Sequence, residues 1–130
     1  MQLKMLQAKI HRARVTEANP DYEGRITVDR DLLDAAGMLP YQAVAVYNIS
    51  NGNRLETYTL PGERGAGVIC LNGAAALLCG VGDRVIICAY AQMDPLEARV
   101  HTPRVLLVDE SNRPRKRIRY GDRTHVPDPA

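Results

Sequence analysis

Residues 3–15 alternate in polarity. Leu3, Met5, Gln7, Lys9, His11, Ala13 and Val15 fall on one face, and Lys4, Leu6, Ala8, Ile10, Arg12 and Arg14 on the other. A period of two predicts a strand, and it sets Lys9 and His11 side by side. Asn19-Pro20-Asp21 is a turn signal. Residues 24–28 then read as a short strand. Asp29 is placed to cap a short helix over residues 30–36, which Gly37 ends. Residues 44–50 and 54–60 are strand-like runs on either side of Asn51-Gly52, a strong hairpin signal because both residues tolerate positive φ. On the return strand Arg54, Glu56 and Tyr58 face one way, and Leu55, Thr57 and Thr59 the other. Residues 61–67 read as a loop and 68–71 as a strand. Asn72 is placed to cap a helix-like run over 73–78, with Gly80 closing it. Residues 84–90 are strongly β, 94–99 form a helical turn, and 105–108 are a last core strand, after which the chain frays from about Ser111. Many short strands with two or three short helices, and no βαβ alternation, predict a mainly β fold, a small barrel.

Composition narrows this picture. A chain of 130 residues fits one domain, and 45% apolar residues suffice for a core. Phe and Trp are absent, so that core is aliphatic, with Tyr at its margins. Small domains of this kind often gain stability by oligomerising. Residues 113–123 hold six basic residues and one acid, whereas the rest holds 11 basic and 14 acidic residues. The basic character therefore belongs to the C-terminus. This predicts a barrel domain over 1–112 and a basic, flexible tail over 113–130. Nucleic-acid binding needs a basic face on the folded body, so a solvated or subunit-packing tail is expected instead. Cys70, Cys79 and Cys88 lie nine apart, without a C-x-x-C, and the histidines are scattered. No metal site is expected. The odd cysteine count predicts buried, reduced thiols in a cytoplasmic protein. Met1-Gln2-Leu3-Lys4 runs straight into the strand pattern, so no signal peptide is expected, and no apolar stretch reaches membrane-spanning length.

Six short motifs change the functional picture. They are Lys9-Ile10-His11-Arg12, Tyr22-x-Gly24, Leu33-Asp34-Ala35-Ala36-Gly37, Asn51-Gly52-x-Arg54-Leu55-x-Thr57-Tyr58, Gly62-Glu63-Arg64-Gly65 and Asn72-Gly73-Ala74-Ala75-Ala76. In this order and spacing they closely resemble the aspartate 1-decarboxylases, pyruvoyl enzymes that make β-alanine. The resemblance covers about 110 residues. It implies a double-psi β-barrel and a homotetramer with sites between subunits. It also implies roles. Arg54 would pair with the substrate carboxylate, and Lys9 would hold a carboxylate or an intermediate. Tyr58 would be the proton donor, and Thr57 would position the carbonyl at the site where the family cuts its chain. Asn72, Gly73, Ala74 and Ala75 would line the site, with His11 and Tyr22 at its edge.

The departures carry equal weight. In the family the residue after the glycine is a serine, which becomes the pyruvoyl group; here Arg25 follows Gly24. A guanidinium stem has no hydroxyl to attack the preceding carbonyl. Leu77 stands where the family commonly has histidine, and Ala66 lies in a loop that often carries serine. Plainer readings accompany each residue. Arg54 would be an exposed strand residue, Lys9 and His11 a solvated face, Tyr58 a cover for the barrel, Thr57 a structural remnant and Asn72 a helix cap. Gly62-x-x-Gly65-x-Gly67 is too loose for a phosphate loop.

The sequence thus predicts a family member that does not self-process and uses no cofactor. Lys9, His11, Tyr22 and Tyr58 would supply acid–base chemistry, and Arg25, Arg54, Thr57, Asn72, Gly73, Ala74 and Ala75 would bind a small carboxylate or polar biosynthetic intermediate. A lyase, isomerase, dehydratase or cyclase step suits such a set. Two alternatives stand beside it: a working aspartate 1-decarboxylase making β-alanine for pantothenate, and a non-catalytic protein that binds a ligand or partner.

Overall fold

The computed structural model describes residues 1–119. Nine strands form in chain order: β1 (Leu3–Arg14), β2 (Glu17–Asn19), β3 (Arg25–Asp29), β4 (Ala43–Asn48), β5 (Arg54–Gly62), β6 (Ile69–Asn72), β7 (Arg84–Met93), β8 (Arg104–Val108) and β9 (Pro114–Arg119). Two short helices, α1 (Arg30–Ala36) and α2 (Pro95–Val100), and a 3₁₀ segment (Gly73–Leu77) complete the described chain. The strands form one sheet in the order β2-β6-β3-β5-β4-β7-β1-β8-β9. It mixes parallel pairs (β1 with β8, β2 with β6, β3 with β5) and antiparallel ones. This mainly β architecture is consistent with the small double-psi barrel that the resemblance implies.

Alternation builds the core. Ala8 and Ile10 of β1, Val44 and Val46 of β4, and Val85 and Ile87 of β7 all turn inward, each at most 3% exposed. α1 closes one end by burying Leu32, Leu33 and Ala36. Burying two leucines in full stabilises the fold by roughly 1.5–3 kcal/mol each. Asp29 caps this helix, accepting from the Asp31 amide at 2.8 Å. Gly37 ends it in the left-handed conformation, as the sequence predicts. Asp29 is itself 3% exposed and also accepts from Gly65 N (3.2 Å) and Gly67 N (2.8 Å). One carboxylate therefore starts α1 and fixes the loop after β5.

Several expectations are corrected. β5 runs on to Gly62 because residues 26–29 of β3 pair with residues 59–62, so the expected loop begins later. β4 ends at Asn48 rather than at residue 50, so Asn51-Gly52 sits in a five-residue connection, 49–53; Gly52 N donates to Asn48 O at 2.8 Å. Asn72 does not cap. Its side chain makes no capping hydrogen bond, and Oδ1 instead accepts from Cys70 Sγ at 3.3 Å. The chain does not fray at Ser111. Residues 114–119 form β9, paired antiparallel with β8, and Ile118 packs with Val105 and Leu107. The remainder of the expected tail, residues 120–130, lies outside the described residues. Cys70, Cys79 and Cys88 are free and buried, and burial raises each thiol pKa. Among the described residues no helix is long and apolar enough to cross a membrane.

Candidate functional site

β3 leaves the Tyr22–Gly24 turn beside the start of the 3₁₀ segment. Arg25 is the register partner of Asn72, so the Gly24–Arg25 bond lies against the Asn72–Gly73 backbone. Gly73 has φ +68°, and a Cβ there would stand 2.6 Å from both Gly24 N and Cα and 2.9 Å from Tyr22 O. Only glycine permits that approach. Beside this contact lies a cleft of about 210 Å³, lined by Gly24, Thr57, Ala74 and Ala75 together with Leu55, Glu56 and Leu78. Four residues of the predicted neighbourhood thus meet: Gly24, Thr57, Ala74 and Ala75, with Gly73 and Asn72 directly behind them.

The sequence did not single out Leu78 as a site residue. Its carbonyl accepts from Asn48 Nδ2 (3.1 Å), Asn51 Nδ2 (3.2 Å) and Asn53 Nδ2 (3.1 Å). The asparagine-rich connection between β4 and β5 therefore holds this wall of the cleft. Leu77, the adjacent residue, is 77% exposed.

Arg25 is half-buried. Its Nε is buried without a hydrogen-bond partner among the described residues. It shares a face with Asn72 and Cys70 by register. The Cys70 thiol is pushed up first by burial and then by the nearby Glu17 charge, while Asn72 and Arg25 pull it back. A cation here is thus accompanied by polar groups and one carboxylate.

The other predicted residues stand elsewhere in the protomer. Arg54, Glu56 and Tyr58 lie on the β5 face opposite Leu55 and Thr57. Arg54 is exposed and stacks its guanidinium over the Tyr47 ring, 4.9 Å from the centroid; Tyr47 Oη meets Tyr90 Oη at 2.9 Å, and Lys4 Nζ stands 5.0 Å from the Tyr90 ring centroid. Lys9 pairs with Cys88, Cys88 with Ala45, and Ala45 with Glu56. Lys9 and Glu56 therefore share one row, three strand spacings or about 14 Å apart along the sheet. Tyr22 is 61% exposed. His11 is 9% exposed, with Nδ1 buried and unpartnered among the described residues. Its pKa is lowered by burial first and then by the Lys9 and Arg12 cations, so its imidazole is neutral near pH 7. It lines a second cleft, on β1 and β8, rather than the Gly24 cleft.

A family model described as aspartate decarboxylase matches residues 1–115. The chain belongs to the aspartate decarboxylase family. Three curated relatives give the scale of the likeness, and each is named aspartate 1-decarboxylase. The relative from Salinibacter ruber is 62% identical over 112 residues, covering 86% of this chain and 77% of the relative. That from Carboxydothermus hydrogenoformans is 60% identical over 113 residues, covering 87% and 89%. That from Ruminiclostridium cellulolyticum is 55% identical over 120 residues, covering 92% and 94%. The family match takes in both the Gly24 cleft and the Lys9–Arg54–Tyr58 face.

Proposed function

We propose that this family member binds a small carboxylate of the aspartate class at the Gly24 cleft and acts on it without a pyruvoyl group made from residue 25. The observation that carries this reading is Arg25 itself. The family's group arises when a hydroxyl on the residue after the glycine attacks the preceding carbonyl. Arg25 has only a guanidinium on a methylene stem, so the residue present does not fit that group, and the Gly24–Arg25 bond stays whole.

The remaining residues support acid–base chemistry. Tyr58 and Tyr22 can donate a proton, and Lys9 can hold a carboxylate by charge. His11, which the resemblance sets at the edge of the site, lines the other cleft and takes no step in this chemistry. Arg54 provides a planar pair of donors that matches a carboxylate, while Thr57, Asn72 and the Gly73–Ala75 backbone line the bound molecule. Lys9 and Arg54 stand too far apart in one protomer to clamp one small ligand. Sites between copies of the chain, as in the homotetramer the resemblance implies, would bring them together. Leu39, Tyr41, Leu77 and Val81, each 67–77% exposed, supply apolar surface for such contacts. A lyase, isomerase, dehydratase or cyclase step fits this set.

Aspartate 1-decarboxylation to β-alanine is the second reading, and among named activities the comparisons favour it. Relatives that are 52–62% identical carry that name. It requires an electrophile from a source other than residue 25. A non-catalytic binding role is the third. Calorimetric titration with aspartate and other small carboxylates, together with carbon dioxide release from aspartate, separates the three. Binding without carbon dioxide release, weakened about tenfold or more in Arg54→Ala because a charge-assisted pair of about 1.5–3 kcal/mol is lost, is the expected result. Carbon dioxide release well above background by the purified chain would establish the second reading instead. Unchanged binding in Arg54→Ala would remove Arg54 from the site.

A further inference from the structure

The second cleft encloses about 230 Å³ and shares no lining residue with the first. His11, Arg12, Arg84, Glu110 and Arg115 surround it over a floor of Leu107 and Val108. The three guanidinium groups and the Glu110 carboxylate come from four segments of the chain, and the Asp109 carboxylate lies near enough to Arg115 to have its pKa lowered by it. None of the three arginines has a part in the chemistry proposed at Gly24.

The local build is costly, which argues for a purpose. β1 changes register between Ile10 and Ala13, and Arg12 at this bulge has φ +63°. Bulges often re-aim a side chain beside a functional site, and a left-handed non-glycine residue costs about 1–3 kcal/mol. Arg84 is held in place, donating from Nη1 to Arg12 O at 3.3 Å and pairing through Nη2 with Glu110. The Glu110 side chain is 80% exposed, so this carboxylate is a solvent-facing partner that a stronger anion displaces readily. His11 Nδ1, buried and without a partner among the described residues, is a second and independent sign of a missing polar group, since buried polar atoms are normally hydrogen-bonded.

We propose that this cleft binds a phosphate dianion, free or carried as the monoester of a small metabolite. Guanidinium groups recognise phosphate through paired N–H donors and remain charged at every physiological pH. The three guanidinium groups of the cleft outnumber Glu110 and the nearby Asp109, so the site stays positive toward a phosphomonoester, which carries about −1.5 to −2 at neutral pH. The volume lies below the roughly 300 Å³ at which pockets take drug-sized ligands, so it admits a phosphate group and a short ester arm rather than a whole nucleotide.

Titration calorimetry of the full chain at low ionic strength tests this, with inorganic phosphate and glycerol phosphate as probes. The wild type should bind at least one probe in the millimolar range or tighter. Preference for glycerol phosphate identifies an ester as the ligand, and preference for inorganic phosphate identifies the free ion. Arg84→Gln and Arg115→Gln should each weaken binding about tenfold, the loss expected for one hydrogen bond to a charged group. Glu110→Gln should tighten it. Arg115 lies on the exposed face of β9, so its variant serves even if Arg84→Gln fails to fold. Arg54→Ala should bind phosphate as the wild type does, which separates this site from the Gly24 cleft. Absence of heat with both probes at millimolar concentration, wild-type affinity in Arg115→Gln, or loss of binding in Arg54→Ala would each overturn the assignment.

Discussion

Gly73→Ala should lower fold stability by about 2–6 kcal/mol, the sum of the strain of a left-handed alanine and of an overpacked contact. Gly73 has φ +68°, and the added methyl would stand 2.6 Å from Gly24 N and Cα. Neither neighbour is a flexible side-chain end; both are backbone. Relief requires the Tyr22–Gly24 turn to move away from the 3₁₀ segment, which opens the cleft where Gly24, Thr57 and Ala75 meet. Carboxylate binding should therefore fall with stability. Chemical denaturation monitored by circular dichroism measures the first effect, and titration of the still-folded fraction the second. A loss below about 1 kcal/mol would mean the turn and the 3₁₀ segment are not in this close contact.

Asp29→Ala should cost about 1.5–5 kcal/mol, the loss of the cap plus that of the one fully buried amide bond, from Gly67 N. The substitution removes a helix cap, worth about 0.5–2 kcal/mol. It also leaves the Gly65 and Gly67 amides without their acceptor, and a buried amide left unpaired costs about 1–3 kcal/mol. Gly67 N donates to Asp29 Oδ2 at 2.8 Å inside the protein. Asp29→Asn retains one acceptor oxygen and should lose roughly half as much. Denaturation midpoints of the two variants check the order. A negligible loss in Asp29→Asn would show that only the cap at Asp31 matters and that the 65–67 loop is held by other contacts, such as Arg64 with Asp31 and Asp34.

The fold was legible wherever local chemistry and the barrel agree. Alternation in 3–15 marked β1, and Asp29 and Gly37 marked both ends of α1, because a cap and a left-handed stop act within a few residues of themselves. The opposite facing of Arg54 and Thr57 was equally plain from a period of two. β9 was hidden because Arg115, Lys116 and Arg117 read as a solvated charge run. Charged residues are also how an edge strand is kept from pairing further, and only Ile118 reaches the Val105–Leu107 cluster. Asn72 misled because both its residue type and its extended backbone (φ −117°, ψ 154°) suit a cap, whereas its side-chain oxygen accepts from Cys70 instead. The separation of Lys9 from Arg54 depends on the β1-β7-β4-β5 strand order, which no local pattern encodes. The arginines of the His11 cleft come from residues far apart in sequence and carry no spacing signal.

Arg25, which carries no hydroxyl, should leave the chain unable to cut itself at Gly24. Intact-mass analysis under denaturing conditions, after prolonged heating of the purified protein, measures this directly. One species at the full-length mass of 14.4 kDa is the predicted result. Two fragments corresponding to residues 1–24 and 25–130 would contradict it.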